Sequence, residues 1–114
     1  KRVSLARAIA VTPEIVLYDE PTAGLDPIRS GTIDRLICST QRHMNVTSVV
    51  VTHDMNSAFA VADRMAMINE GRIIATGTVE EFKNIENPIV QQFIHGWKTP
   101  RGAVRRRKVN EVVD

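Results

Sequence analysis

The six residues Ile15-Val16-Leu17-Tyr18-Asp19-Glu20 form an apolar run that ends abruptly in two adjacent carboxylates, with Pro21 and Gly24 stopping the segment just beyond. A short apolar run without polar alternation reads as a strand buried on both faces, as in parallel sheets covered by helices. Periodicity alone leaves a buried helix open, but the two breakers cut the run too short for one. In open α/β sheets ligands bind beyond the carboxyl ends of the strands, so Asp19 and Glu20 would stand at such a site. Consecutive strand residues point to opposite faces, which lets the two acids take separate roles. In phosphoryl transfer one would serve a metal ion and the other the attacking water. Read alone, the same string also fits a strand capped by two solvated acids.

A second run with the same signature spans residues 46–52, centred on Val49-Val50-Val51, and delivers Thr52, His53 and Asp54 at its end. A lone histidine is usually structural. Here the neighbouring strand ends in Asp-Glu, and that places His53 where a phosphate would bind. Between the runs, Asp26-Pro27 has the form of an N-cap followed by proline at the first helical position, and a helix to about residue 42 follows. Its Ile33, Leu36, Ile37 and Thr40 keep helical spacing. Taken by itself, Asp26 reads as a cap. Residues 1–11 read as a helix with an apolar face of Val3, Leu5, Ala6, Ile9 and Ala10, ended by Pro13. That helix begins in mid-pattern without a capping residue.

Met55, Ala58, Phe59 and Ala62 mark a short core helix opened by Asp54. Residues 64–69 and 72–76, joined through Glu70-Gly71, read as a β-hairpin edging the sheet. Thr78-Val79-Glu80-Glu81 fits a capping box. Asn87-Pro88 opens a last helix with Ile89, Val90, Phe93 and Trp97 on its apolar face.

The 114 residues suffice for one small domain with a modest core. No run approaches the roughly eighteen apolar residues that a membrane-spanning helix needs, so the chain reads as soluble. Cys38, the single cysteine, supports neither a disulfide nor a zinc site within one chain, reads as a core thiol, and fits a reducing, cytoplasmic setting. Residues 1–97 carry nine Lys/Arg against eleven Asp/Glu, whereas residues 98–114 carry six against two. The positive charge therefore belongs to a tail around Arg105-Arg106-Arg107-Lys108, read as solvated and flexible.

In this order the motifs resemble the C-terminal part of an ABC-type ATPase, the nucleotide-binding subunit of ABC transporters. Lys1-Arg2-Val3-Ser4-Leu5-Ala6-Arg7-Ala8 resembles the helix after the signature loop, Leu17-Tyr18-Asp19-Glu20-Pro21-Thr22 the Walker B strand, and Ala23-Gly24-Leu25-Asp26 the D-loop. Val51-Thr52-His53-Asp54 resembles the switch histidine segment, and Glu70-Gly71-Arg72-Ile73 with Gly77 the closing hairpin. The resemblance implies an α/β fold, the C-terminal part of a P-loop NTPase (RecA-like) domain. It implies a parallel sheet, a closing β-hairpin and C-terminal helices over residues 1–96, with residues 97–114 as the tail.

It further implies ATP and Mg²⁺ as cofactors, with Asp19 supporting the metal, Glu20 polarising the hydrolytic water and His53 contacting the γ-phosphate. Asp26 would act across a head-to-tail dimer with a second ATPase subunit. Membrane permease subunits are the further partners, at the cytoplasmic face of the inner or plasma membrane. Leu25-Asp26-Pro27-Ile28 and Asn87-Pro88-Ile89-Val90-Gln91-Gln92-Phe93 with Gly96 are similar to the ATPases of MCE-type lipid transporters. That branch implies phospholipid transport and an MCE-type lipid-binding partner.

No G-x-x-x-x-G-K-[ST] phosphate loop occurs in these residues. The expectation is therefore a chain that is incomplete as an ATPase and inactive alone. A soluble ABC-type ATPase acting on nucleic acid or ribosomes, or a non-catalytic remnant, would share the remaining motifs; nucleic acid is not the expected partner.

Overall fold

The structure is a computed structural model that describes residues 2–96. The chain divides after Asp63 into two units.

The first unit holds α1 (Arg2–Ile9), β1 (Ile15–Asp19), α2 (Pro27–Met44), β2 (Thr47–Val51) and α3 (Met55–Val61). β1 and β2 pair in parallel, from Ile15 opposite Thr47 to Asp19 opposite Val51. A parallel pair needs a crossover of a dozen or more residues, which α2 supplies. Asp26 caps α2 as its sequence implies, its Oδ1 accepting from the Arg29 N–H at 2.8 Å. The helix runs on to Met44, past residue 42, and stops where Asn45 takes a left-handed conformation with φ of +52°. Ile33, Ile37 and Thr40 are buried along its inward stripe, while Leu36 is half-buried.

Burial on both faces of the strands is not what the structure shows. Val16 is buried and Tyr18, Ser48 and Val50 are half-buried, whereas Ile15, Leu17, Val49 and Val51 lie exposed on the opposite face. Continuous apolar runs fit a sheet covered twice, and among the described residues one cover is lacking. α1 is shorter than the expected 1–11, and none of its residues is buried. Cys38 is half-buried rather than a core thiol.

The second unit holds β3 (Arg64–Asn69), β4 (Arg72–Thr78), α4 (Val79–Lys83) and α5 (Pro88–Gly96). The hairpin turns at Glu70 and Gly71, both at positive φ, the geometry of a type I′ turn that glycine accommodates without strain. It forms a two-stranded sheet of its own rather than edging the parallel one. Thr78 caps α4 by accepting from the Glu81 N–H at 3.2 Å, and α4 packs on the hairpin with Phe82 buried. Asn87 opens α5, its Oδ1 accepting from the Ile89 N–H at 2.9 Å. The inward residue of α5 is Val90, fully buried, while Ile89 and Phe93 are exposed. Lys1, Trp97 and the basic tail lie outside the described residues.

Candidate functional site

Parallel pairing carries β1 and β2 in the same direction, so their carboxyl ends stand side by side and deliver Asp19-Glu20 next to Thr52-His53. The two strands remain joined one step beyond the ladder, where the Glu20 N–H donates to the Val51 carbonyl at 2.8 Å. There the Glu20 backbone turns left-handed, with φ of +46°. For a residue with a Cβ this conformation is uncommon and costs free energy, and such costs concentrate at functional sites. Simple strand alternation therefore does not extend to Glu20: β1 ends at Asp19 and the Glu20 backbone turns out of the strand.

Glu20 Oε1 lies 3.0 Å from His53 Nδ1. The pair is half open to water, with the histidine side chain 73% exposed and the glutamate side chain 33%. The hydrogen bond and charge of Glu20 push the His53 imidazole above its ordinary value of 6.5. In return, the hydrogen bond from His53, with its charge, holds the Glu20 carboxyl below 4.5. Contact through Nδ1 leaves the other ring nitrogen as a separate hydrogen-bonding group.

Asp19 is exposed at the end of β1, and its carboxylate makes no hydrogen bond or ion pair among the described residues. No group of three or more metal-ligating side chains occurs among those residues. A single open carboxylate nevertheless suits Mg²⁺, which keeps several waters and takes one or two carboxylates together with substrate phosphates. Asp26 takes no part in the Glu20–His53 pair; its carboxylate caps α2 and lies 3.6 Å from the Arg29 Nε.

Behind the pair lies a polar cluster that the sequence reading did not single out. Ser57 Oγ stands 3.1 Å from Asp34 Oδ2, 3.3 Å from Asp54 Oδ2 and 3.3 Å from Thr22 Oγ1. Asp54 also caps α3, its Oδ1 accepting from the Asn56 and Ser57 N–H groups. Burial, assisted by the Asp54 charge, pushes the Asp34 carboxyl above its ordinary range. The available signal was the departure of buried Asp34 and Ser57 from the apolar pattern of their helices, but short polar residues on helices are commonly solvated, and spacing alone does not pair them.

No protein-family model matches the chain. The chain is 38% identical over 96 residues to the methionine import ATP-binding protein MetN of Carboxydothermus hydrogenoformans, covering 83% of this chain and 28% of the relative. To the intermembrane phospholipid transport system ATP-binding protein MlaF of Haemophilus influenzae it is 40% identical over 96 residues, 84% of this chain and 36% of that one. Among solved structures it is similar to the dimeric post-hydrolysis state of the ATP-binding cassette MJ0796 bound to ADP and Pi. That match has a TM-score of 0.62 and 35% identity, covering 68% of this chain and 33% of the other. The chain thus spans about a third of the length of the curated relatives it matches. Its motifs, its fold and these matches agree: the chain is a relative of the ABC transporter ATP-binding proteins, homologous to the C-terminal part of their ATPase domain.

Proposed function

We propose that these residues supply the Walker B and switch side of the ATP-hydrolysing centre of an ABC transporter subunit. The observation that carries the reading is the 3.0 Å contact between Glu20 and His53 at the adjacent ends of two parallel strands. Phosphoryl transfer asks the protein for positioning and charge stabilisation rather than covalent chemistry. Glu20 orients and polarises the attacking water. His53 holds Glu20 through Nδ1 and offers its other ring nitrogen to the γ-phosphate end. Asp19, by its open carboxylate, would hold Mg²⁺. When bound, that ion neutralises charge developing on the phosphates.

Asp26 keeps α2 capped and meets the second subunit of a head-to-tail dimer, an assembly supported by the dimeric MJ0796 cassette. Membrane permease subunits complete the transporter, with this subunit bound at the cytoplasmic face. No helix among the described residues is long and apolar enough to cross a membrane. The bare sheet face of Ile15, Leu17, Val49 and Val51 is covered, in a protein of the relatives' length, by the remainder of the ATPase domain. Burying such side chains is favourable by about 1.5–3 kcal/mol each.

The cargo we infer is phospholipid, moved with an MCE-type lipid-binding protein. Support comes from residues 25–28 and 87–96 and from the 40% identity to MlaF. The complete protein, assembled with its membrane subunits in vesicles, tests both levels of the reading. Mg²⁺-dependent ATP hydrolysis coupled to transfer of labelled phospholipid is the expected result. Hydrolysis coupled to uptake of an amino acid would overturn the lipid assignment alone, and absence of hydrolysis would overturn the whole reading.

A further inference from the structure

Three polar side chains with no part in the proposed chemistry are almost wholly removed from solvent: Thr22 is 4% exposed, Asp34 9% and Ser57 2%. Burying hydroxyls and a carboxylate is favourable only when they are paired, and apolar residues of similar shape would often serve stability as well. Stability is therefore a weak reason for the cluster, and its placement offers a better one. Thr22 lies two residues beyond Glu20, and Asp54 directly follows His53. Ser57 Oγ is within 3.3 Å of both Thr22 Oγ1 and Asp54 Oδ2, and Asp34 Oδ2 on α2 lies 3.1 Å away. A single hydroxyl carries one proton, so Ser57 donates to one carboxylate at a time; the Thr22 hydroxyl also reaches Asp54 Oδ2, to which it donates at 3.5 Å.

The cluster thus ties the segment just past Glu20 to the segment just past His53, and fixes both to a long helix. The segments themselves need such a tie. Glu20 sits in a left-handed conformation and His53 in a bend between β2 and α3, one step past the ladder, where the Glu20 N–H donates to the Val51 carbonyl. We propose that Ser57, anchored by Asp34 and joined to Thr22, is a positioning residue that keeps Glu20 and His53 in contact; the proposal rests on reading that pair as the hydrolytic centre.

The test uses the complete ATPase. Ser57→Ala is expected to lower kcat by about tenfold to 10²-fold, the scale set by sub-ångström to 1 Å misplacement of reacting groups, with KM for ATP little changed. Thr22→Val removes the connector's hydroxyl at nearly constant shape and is expected to act in the same direction, so the test survives if Ser57→Ala fails to fold. Asp34→Asn keeps an acceptor for the Ser57 hydroxyl and should retain most of the kcat that Asp34→Ala loses.

Wild-type kcat in both Ser57→Ala and Thr22→Val, in a protein that Glu20→Gln inactivates, overturns the positioning role and leaves the ATPase reading intact. A wild-type protein without turnover removes the ATPase reading instead. Crystallography of Ser57→Ala then decides the positioning role separately: loss of the Glu20–His53 contact upholds it, and a contact retained at 3.0 Å overturns it.

Discussion

Glu20→Gln in the complete protein is expected to bind ATP with near wild-type affinity while kcat for hydrolysis falls by roughly 10²- to 10⁴-fold, the range for loss of a positioned general base. The substitution is nearly isosteric. An amide oxygen still accepts from a protonated His53 Nδ1, so the 3.0 Å contact has no steric reason to open. The lost quantity is the negative charge and basicity of the carboxylate toward water. Because that interaction matters in the transition state more than in the ground state, the loss belongs in kcat rather than in KM. Steady-state turnover beside nucleotide binding measures both. A variant that hydrolyses ATP at the wild-type rate contradicts the role given to Glu20.

His53→Ala is expected to cost roughly 10²-fold or more in kcat with little change in stability. The stability half follows from exposure, since the side chain is 73% open to water and its contact with Glu20 is a surface pair. A large loss of turnover with a small shift in melting temperature therefore separates a site role from a structural one, and the reverse pattern contradicts the assignment. The pH dependence of the pair has a definite sign. Glu20 raises the folded pKa of His53 above 6.5, so this ion pair is fully present below that value and is lost as pH rises through the raised one. Glu20 is shifted downward from 4.5, so its share is present above that value and is lost as pH falls through the lowered one. NMR titration of the imidazole is expected to give a value above 6.5 that returns toward it in Glu20→Gln.

What the sequence disclosed well was local. Asp26-Pro27, Asp54 and Thr78 each cap a helix through a bond spanning two or three residues, and Glu70-Gly71 turns the hairpin through its own backbone. Such features depend on neighbouring residues alone and survive whatever surrounds them. The meeting of Glu20 with His53 was also legible, because two buried-strand runs with chemistry at the same end imply parallel pairing. The left-handed turn at Glu20 was not, since glutamate has no preference for it and the tertiary structure imposes it. Nor was the cluster of Thr22, Asp34 and Ser57, whose members are 23 and 35 residues apart along the chain and meet only when α2 and α3 pack.

The inward side of α5 was read too broadly for a related reason. Ile89, Val90 and Phe93 offer competing apolar stripes on a nine-residue helix, and packing chose Val90. The strand runs were read as covered on both faces because apolar content reports what a surface is suited to meet. The described residues supply a cover for one face only.

The account stands on Glu20 and His53 acting together at one nucleotide end. A crystal structure of the complete protein with Mg²⁺ and a non-hydrolysable ATP analogue measures this directly. The account predicts both side chains within hydrogen-bond reach of the γ-phosphate or its attacking water, with Asp19 beside the metal. A nucleotide bound away from the carboxyl ends of β1 and β2, or a pair separated with neither member near the γ-phosphate, would contradict it.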